Sequence, residues 1–260
     1  MKSVLTSRRG ALLGGIAAAA GTALGGRFAP LAAQPLAKQG TVDGPWAVEL
    51  FTSQGCSSCP PADANLGALA RRADIVALAF HVDYWDYIGW RDKFASRETT
   101  ERQRAYARVL KQRYVYTPEM VVEGQAHETG RERGDIEALL AKAQKKGGPR
   151  ATPELSLVSD GSLRVQLQPY ALGAGSADVT LMVYDRRHAT PVASGENQGR
   201  MLEDFNVVRR MKSLARWDGS AASWTVAERL QSGQGAAVIV QGADHGPVLG
   251  CNKLEPMVSG

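Results

Sequence analysis

The stretch Ala47-Val48-Glu49-Leu50-Phe51-Thr52-Ser53-Gln54-Gly55-Cys56-Ser57-Ser58-Cys59-Pro60-Pro61-Ala62-Asp63 decides how the rest of the chain is read. Val48, Leu50 and Phe51 form a short apolar run of strand length. Gly55 suits a tight backbone turn just before Cys56. Pro60 and Pro61 stand where the first turn of a helix has no use for their missing N–H groups. Ala62, Leu66, Leu69 and Ala73 then recur at the spacing of one helical face. The order is strand, Cys-x-x-Cys, helix.

That order suits thiol chemistry. The thiolate is the nucleophile in disulfide exchange, and a helix N-terminus, with its partial positive charge and free N–H groups, favours the thiolate. On this reading Cys56 attacks as the more exposed and more acidic thiol, and Cys59, one turn further in, resolves the mixed disulfide. Ser57 and Ser58 add hydroxyl donors and no charge. Two other readings stay open. Half of a zinc site needs two further ligands, usually as a second close pair, and Cys251 is single while His81, His127, His188 and His245 are scattered. A permanently closed structural disulfide needs nothing more than the pair itself.

Downstream, Ile75-Val76-Ala77-Leu78-Ala79-Phe80 reads as a strand buried on both faces, which makes a parallel strand–helix–strand unit. His81 and Asp83 follow at its C-terminal end, where sites in α/β sheets lie. The segment from His81 to Phe94 concentrates Tyr84, Trp85, Tyr87 and Trp90 with Asp83, Asp86 and Asp92. It is either a lid or groove beside the cysteines or an insertion packing its own aromatics. A helix follows. Thr100 with Gln103 has the spacing of a capping box, and Arg102, Arg104, Arg108, Lys111 and Arg113 form a basic flank whose ordinary meaning is a solvated face. Thr117-Pro118 then precedes the short strand Met120-Val121-Val122, which ends at Gly124. A last helix spans Ile136, Leu139, Leu140 and Ala143 and stops at Gly147-Gly148-Pro149.

Taken together, residues 46–148 resemble a thioredoxin-like domain, close to the glutaredoxin arrangement, with a helical insertion at about 84–113. The resemblance implies a cis bond between Thr117 and Pro118 and a role for that pair in orienting a partner chain. It implies, more weakly, that the strand acid Glu49 assists the resolving thiol. Phe51 to Pro60, His81-Val82-Asp83-Tyr84-Trp85 and Thr117-Pro118 are together similar to a family of exported bacterial proteins of unknown function. That resemblance extends to the C-terminus and implies a fold and a compartment without a substrate.

Residues 1–33 read as an export signal: Lys2, Arg8 and Arg9 form a charged start, an Ala/Gly-rich stretch follows, and Leu31-Ala32-Ala33 offers a cleavage site. Ser7-Arg8-Arg9-Gly10-Ala11-Leu12-Leu13 resembles a twin-arginine signal, with Ala11 where Phe is usual. The stretch is too short and too weakly apolar for a membrane span, and a periplasmic or secreted product is expected. Residues 34–45 read as a linker. The chain carries 31 Lys+Arg against 26 Asp+Glu. Without residues 1–33 the balance is 27 against 26, so the net basicity gives no case for nucleic acid binding.

Residues 149–260 change character. Leu155-Ser156-Leu157 and Leu163-Arg164-Val165-Gln166-Leu167 alternate about an Asp160-Gly161 turn. Val179, Leu181 and Val183 alternate again, and Ala236–Val240 and Trp224–Ala227 read as further strands. An antiparallel, sandwich-like β domain packed on the first is expected. Gly195-Glu196-Asn197-Gln198-Gly199 and Asn206-Val207-Val208-Arg209 read as polar, turn-rich loops, either ordinary ones or ones that border a groove, and Cys251 as a small buried residue. The fold class expected is therefore α/β, a thioredoxin-like domain followed by a mainly antiparallel β domain. The function expected is an exported thiol–disulfide oxidoreductase-like protein with a thiol or disulfide partner and no organic cofactor or resident metal. Cys56, Cys59 and Glu49 are its catalytic candidates, and Thr117, Pro118, His81, Asp83 and Trp85 its partner-binding candidates. The rivals are copper handling through Cys56, Cys59 and His81, and a scaffold-type binding module.

Overall fold

A computed structural model describes residues 44–255. The export-signal expectation and most of the linker lie outside the described residues. Strand β1 (Trp46–Thr52) leads through the cysteine loop into helix α1 (Pro60–Ala70) and returns as β2 (Ile75–His81), parallel to β1 in register Trp46↔Ile75 to Thr52↔His81. A 3-10 turn (Asp83–Ile88) and helix α2 (Arg97–Val109) precede β3 (Glu119–Val122), which runs antiparallel to β1. Strand β4 (Ala126–Glu128) pairs antiparallel with β3, and helix α3 (Arg133–Lys146) follows, ending at Gly147 with φ 56°.

Alternation along β1 and β2 sorts the core by face. Val48, Leu50, Ile75, Ala77 and Ala79 pack with Ala62, Leu66 and Leu69 of α1 and Ile136 and Leu140 of α3. Ala47, Phe51, Val76, Leu78 and Phe80 face the other way, onto Tyr106 of α2. Helix α2 starts one turn earlier than the Thr100 capping box implies. Ser96 is its cap, accepting from the Thr99 amide at 3.2 Å, while the Thr100 hydroxyl donates to Asp83 at 2.7 Å.

The C-terminal half is β, as its alternation implies, but it does not form a separate sandwich packed on a first domain. The described residues after the first helix-and-strand half comprise β5 (Glu154–Leu157), β6 (Leu163–Leu167), β7 (Ala177–Pro191), β8 (Met201–Trp217), β9 (Ala222–Val226), β10 (Gln234–Gly242) and β11 (Val248–Leu254). Four of these extend the first sheet, giving one mixed eight-stranded sheet in the order β11-β10-β7-β8-β2-β1-β3-β4. The junction is β8 beside β2, parallel, through Ala79↔Val207. Asn206, expected in a loop, lies in β8 with φ 47°, a conformation Asn tolerates, and its side-chain amide donates to the Ala77 carbonyl at 2.8 Å. The physical reason for the merger is the length of the β7–β8 ribbon, which reaches the open edge of β2 and satisfies part of it. Strands β5, β6 and β9 form a small antiparallel sheet whose Leu163, Val165 and Leu167 pack on Val179, Leu181, Val238 and Val240 of the large one. The fold is thus α/β with a large mixed sheet and few helices.

Candidate functional site

Cys56 and Cys59 form a disulfide at the head of α1, with Cys59 in the N-cap position and Pro60 and Pro61 beginning the helix. The loop is held by backbone bonds from the Cys56 amide to Ser53 O at 3.1 Å and from the Asp63 amide to Cys59 O at 3.1 Å. Ser58 Oγ lies 3.3 Å from Cys56 Sγ. Gly55 is not in the left-handed region. Its smallness serves close approach, since a Cβ there would sit 3.2 Å from the Trp85 Cβ.

The expectation of an exposed Cys56 is corrected: Cys56 is 0% and Cys59 1% exposed. The cover is the loop joining β7 to β8, which holds Gly195–Gly199. The buried Asn197 amide donates to Gln54 O at 2.9 Å and to Cys56 O at 3.0 Å, and Glu196 accepts from the Ser57 amide at 3.1 Å. Ser194 Oγ donates to Gly89 O at 2.5 Å, tying the cover to the aromatic segment. Trp85 and Ile88 press on Gly55 from that segment.

Thr117 and Pro118 stand just before β3, and their peptide bond is cis. Trp85 Nε1 donates to Thr117 Oγ1 at 2.7 Å, so Trp85 bridges the cysteine loop and the Thr117-Pro118 corner. Asp83 accepts from Thr100 and belongs to the α2 end of the segment. Glu49 is placed on the sheet face opposite α1. It accepts two bonds from Arg102 at 2.6 and 3.0 Å and one from Tyr106 Oη at 2.5 Å. Arg102 is therefore a buried partner rather than a solvated one, which removes it from the expected basic flank. Cys251 is buried, with Sγ 3.1 Å from Pro45 O, and burial pushes its thiol pKa up.

His81 shares the α1 face with Ala79 and anchors a cluster that sequence reasoning did not assemble. Its Nδ1 lies 2.6 Å from Asp92 Oδ2, its Nε2 lies 3.8 Å from Asp204 Oδ1, and Nε2 has no hydrogen-bond partner. Asp63, one turn into α1, accepts from the Thr52 hydroxyl at 2.8 Å. Gln54 knits the cluster to the cysteine loop: its amide N–H donates to Asp92 at 2.9 Å, its side chain donates to Asp204 at 2.7 Å and Thr190 at 3.1 Å, and it accepts from Trp90 at 3.2 Å. Burial, and then Asp204, pushes Asp63 up to about 8. Burial works to lower His81, but Asp92, with Asp204 and Asp63 behind it, outweighs burial and raises it to about 9. Burial raises Asp204. Burial acts to raise Asp92 too, but the facing His81 holds it below its ordinary value. Among the described residues no group of three or more His, Cys, Asp or Glu side chains is arranged to hold a metal ion. Asp63 had a faint signal in the sequence, an acid one turn after Cys59. Asn197 lies in the turn-rich loop that could border a groove, whereas Asp204 had no signal, because the β7–β8 ribbon alone brings it here.

A family model described as a protein of unknown function (DUF1223) matches residues 47–241. No curated protein matches. A crystal structure of a structural-genomics protein from Agrobacterium tumefaciens is similar at 30% identity and a TM-score of 0.68, covering 82% of this chain and 94% of that one. An endonuclease/exonuclease/phosphatase from Beutenbergia cavernae aligns at 16% identity over 40% of this chain and 22% of that one, and its TM-score of 0.24 carries no structural argument.

Proposed function

For a chain that belongs to the DUF1223 family of unknown function, we propose a role as an exported thiol–disulfide oxidoreductase-like protein that uses Cys56 and Cys59 on a protein or small-thiol partner. The observation that carries this reading is the cystine at the head of α1, set beside a buried cluster of ionisable groups in which Asp63 and His81 are both raised well above their ordinary values. Perturbed groups beside a nucleophile mark a candidate site of chemistry. The thioredoxin-like reading is supported by the order β2-β1-β3-β4, with β1 and β2 parallel around α1, β3 and β4 antiparallel, and α3 last.

In this role Cys56 is the attacked sulfur and Cys59 the leaving and resolving one. Trp85, Thr117 and Pro118 form the partner-facing side, and the loop holding Asn197 must part before a partner reaches Sγ. Electrons come from the partner thiols. Export is proposed from the composition of residues 1–33, and N-terminal sequencing of protein from its host should begin near Gln34. The deciding experiment uses single-cysteine variants. Cys59→Ser should trap a partner through Cys56, and Cys56→Ser should trap nothing. Equal, slow alkylation of both reduced thiols with no trapped species would mean a structural disulfide.

A further inference from the structure

We infer that Asp63 is the proton donor and acceptor for Cys59, replenished from solvent through the groove between α1 and β8. The inference rests on the redox reading above and names the group that reading leaves out.

Three placements carry it. Asp63 lies four residues after Cys59 on the same helix, with its amide bonded to the Cys59 carbonyl at 3.1 Å, so both side chains lie on one helical face. Such pairs stand about 5–6 Å apart at Cβ, so the two side chains are neighbours on that face, and transfer between them runs through a direct hydrogen bond or one bridging water. Second, Asp63 is buried yet is among the residues lining a groove of about 190 Å³, with Pro60, Ala64, Arg200, Met201 and Phe205, and that groove is the inferred route for proton exchange with bulk water. Third, its inner side faces a cluster with an excess of acid and one unmet polar atom, His81 Nε2. The groups facing Asp63 are Thr52 on β1, His81 on β2, Asp92 in the following loop, and Asp204 on β8, with Arg200 and Glu203 at the groove. Glu49 cannot serve, because it points to the opposite face of β1 and is spent on Arg102 and Tyr106.

When the cystine oxidises a dithiol, a partner thiolate attacks Cys56 Sγ. The Sγ–Sγ bond breaks and its electron pair leaves on Cys59. The Cys59 thiolate takes the Asp63 proton, leaving a carboxylate that His81 offsets, and water in the groove returns the proton. The second partner thiolate then attacks the mixed disulfide and releases Cys56 as thiolate, so the partner loses two electrons and the pair gains them. In reverse, the Asp63 carboxylate removes the Cys59 proton as that sulfur attacks the mixed disulfide. An acid whose burial holds it protonated near neutrality suits both directions.

The test follows reduced protein reacting with glutathione disulfide by acid quench and mass spectrometry, which separates formation of the Cys56 mixed disulfide from its resolution by Cys59. Asp63→Asn should slow resolution by roughly 10²-fold and remove the inflection that Asp63 gives its pH profile, leave mixed-disulfide formation unchanged, and be partly rescued by Asp63→Glu. In wild-type protein the Asp63 carboxyl, followed by carbon NMR, should titrate at different pH before and after reduction with a phosphine. Unchanged resolution in Asp63→Asn, or one Asp63 titration in both redox states, overturns the inference while the redox reading stands. A wild-type pair that never exchanges with glutathione disulfide defeats the redox reading and takes this inference with it.

Discussion

Two buried charge clusters lie on opposite faces of the same two strands. On the α2 face Glu49, Arg102, Tyr106 and Gln241 form a closed set: one carboxylate, one guanidinium, and hydrogen bonds that use each group. On the α1 face Asp63, Asp92 and Asp204 surround a single His81 with one nitrogen unmet. The first is balanced and the second is not. Balanced buried pairs specify packing, whereas unbalanced ones leave protons free to move at physiological pH, and only the unbalanced cluster sits beside the cystine.

The largest effect is expected from unbalancing the balanced cluster. Glu49→Gln leaves Arg102 buried without its counter-charge and should cost about 3–5 kcal/mol in urea unfolding, while the pH profile of thiol exchange in the folded fraction stays as in wild type. A changed exchange profile would return Glu49 to the chemistry.

A smaller effect is expected from balancing the unbalanced cluster. Asp63 has its folded pKa raised from 3.8 to about 8, so its contribution is complete below pH 3.8 and is lost as pH rises to about 8. His81, raised from 6.5 to about 9, contributes fully below 6.5 and is lost as pH rises through 9. Both signs agree, so oxidised wild-type protein should lose stability from acid toward alkaline pH. Asp63→Asn keeps an acceptor for Thr52 and removes the buried acid. It should flatten that decline and gain on the order of 1–3 kcal/mol at pH 8. Parallel wild-type and variant curves from pH 4 to 9 would refute the assignment.

The smallest effect concerns the cover. Asn197→Ala removes two hydrogen bonds to the cysteine loop and should cost about 1–2 kcal/mol, yet it should speed reduction of the cystine by dithiothreitol roughly tenfold. An unchanged rate would mean that the cover does not limit access.

How much of this was legible is best seen residue by residue. The cysteine loop, α1, β2 and the Asp160-Gly161 hairpin follow from periodicity and turn chemistry, which act over a few residues. So does the proximity of His81 to the cysteines, because a parallel strand–helix–strand unit brings both strand ends to one edge. The side to which Glu49 points was also legible from alternation, since Thr52 and not Glu49 shares the α1 face, but the family resemblance drew attention away from it. The burial of Cys56, the pairing of Arg102 with Glu49 and the arrival of Asp204 were not legible. Each depends on contacts separated by 53 residues or more, such as Arg102 with Glu49 and Asn197 with Cys56, and nothing local in Asn197 or Asp204 distinguishes them from surface polar residues.

The single register pair Ala79↔Val207 has a consequence for how the molecule is made. A nascent chain released only to residue 148 already contains β1, β2, β3, α1, α2 and α3, yet its second strand is an open rim with unpaired amides and a buried-type sequence, Ile75-Val76-Ala77-Leu78-Ala79-Phe80. Such a rim templates aggregation. Closure waits for residues synthesised more than a hundred positions later, a long-range pairing of the kind that slows folding. Fragments ending near residue 148 should therefore associate through that rim. A unit that keeps the cysteine site in solution must extend at least through β8.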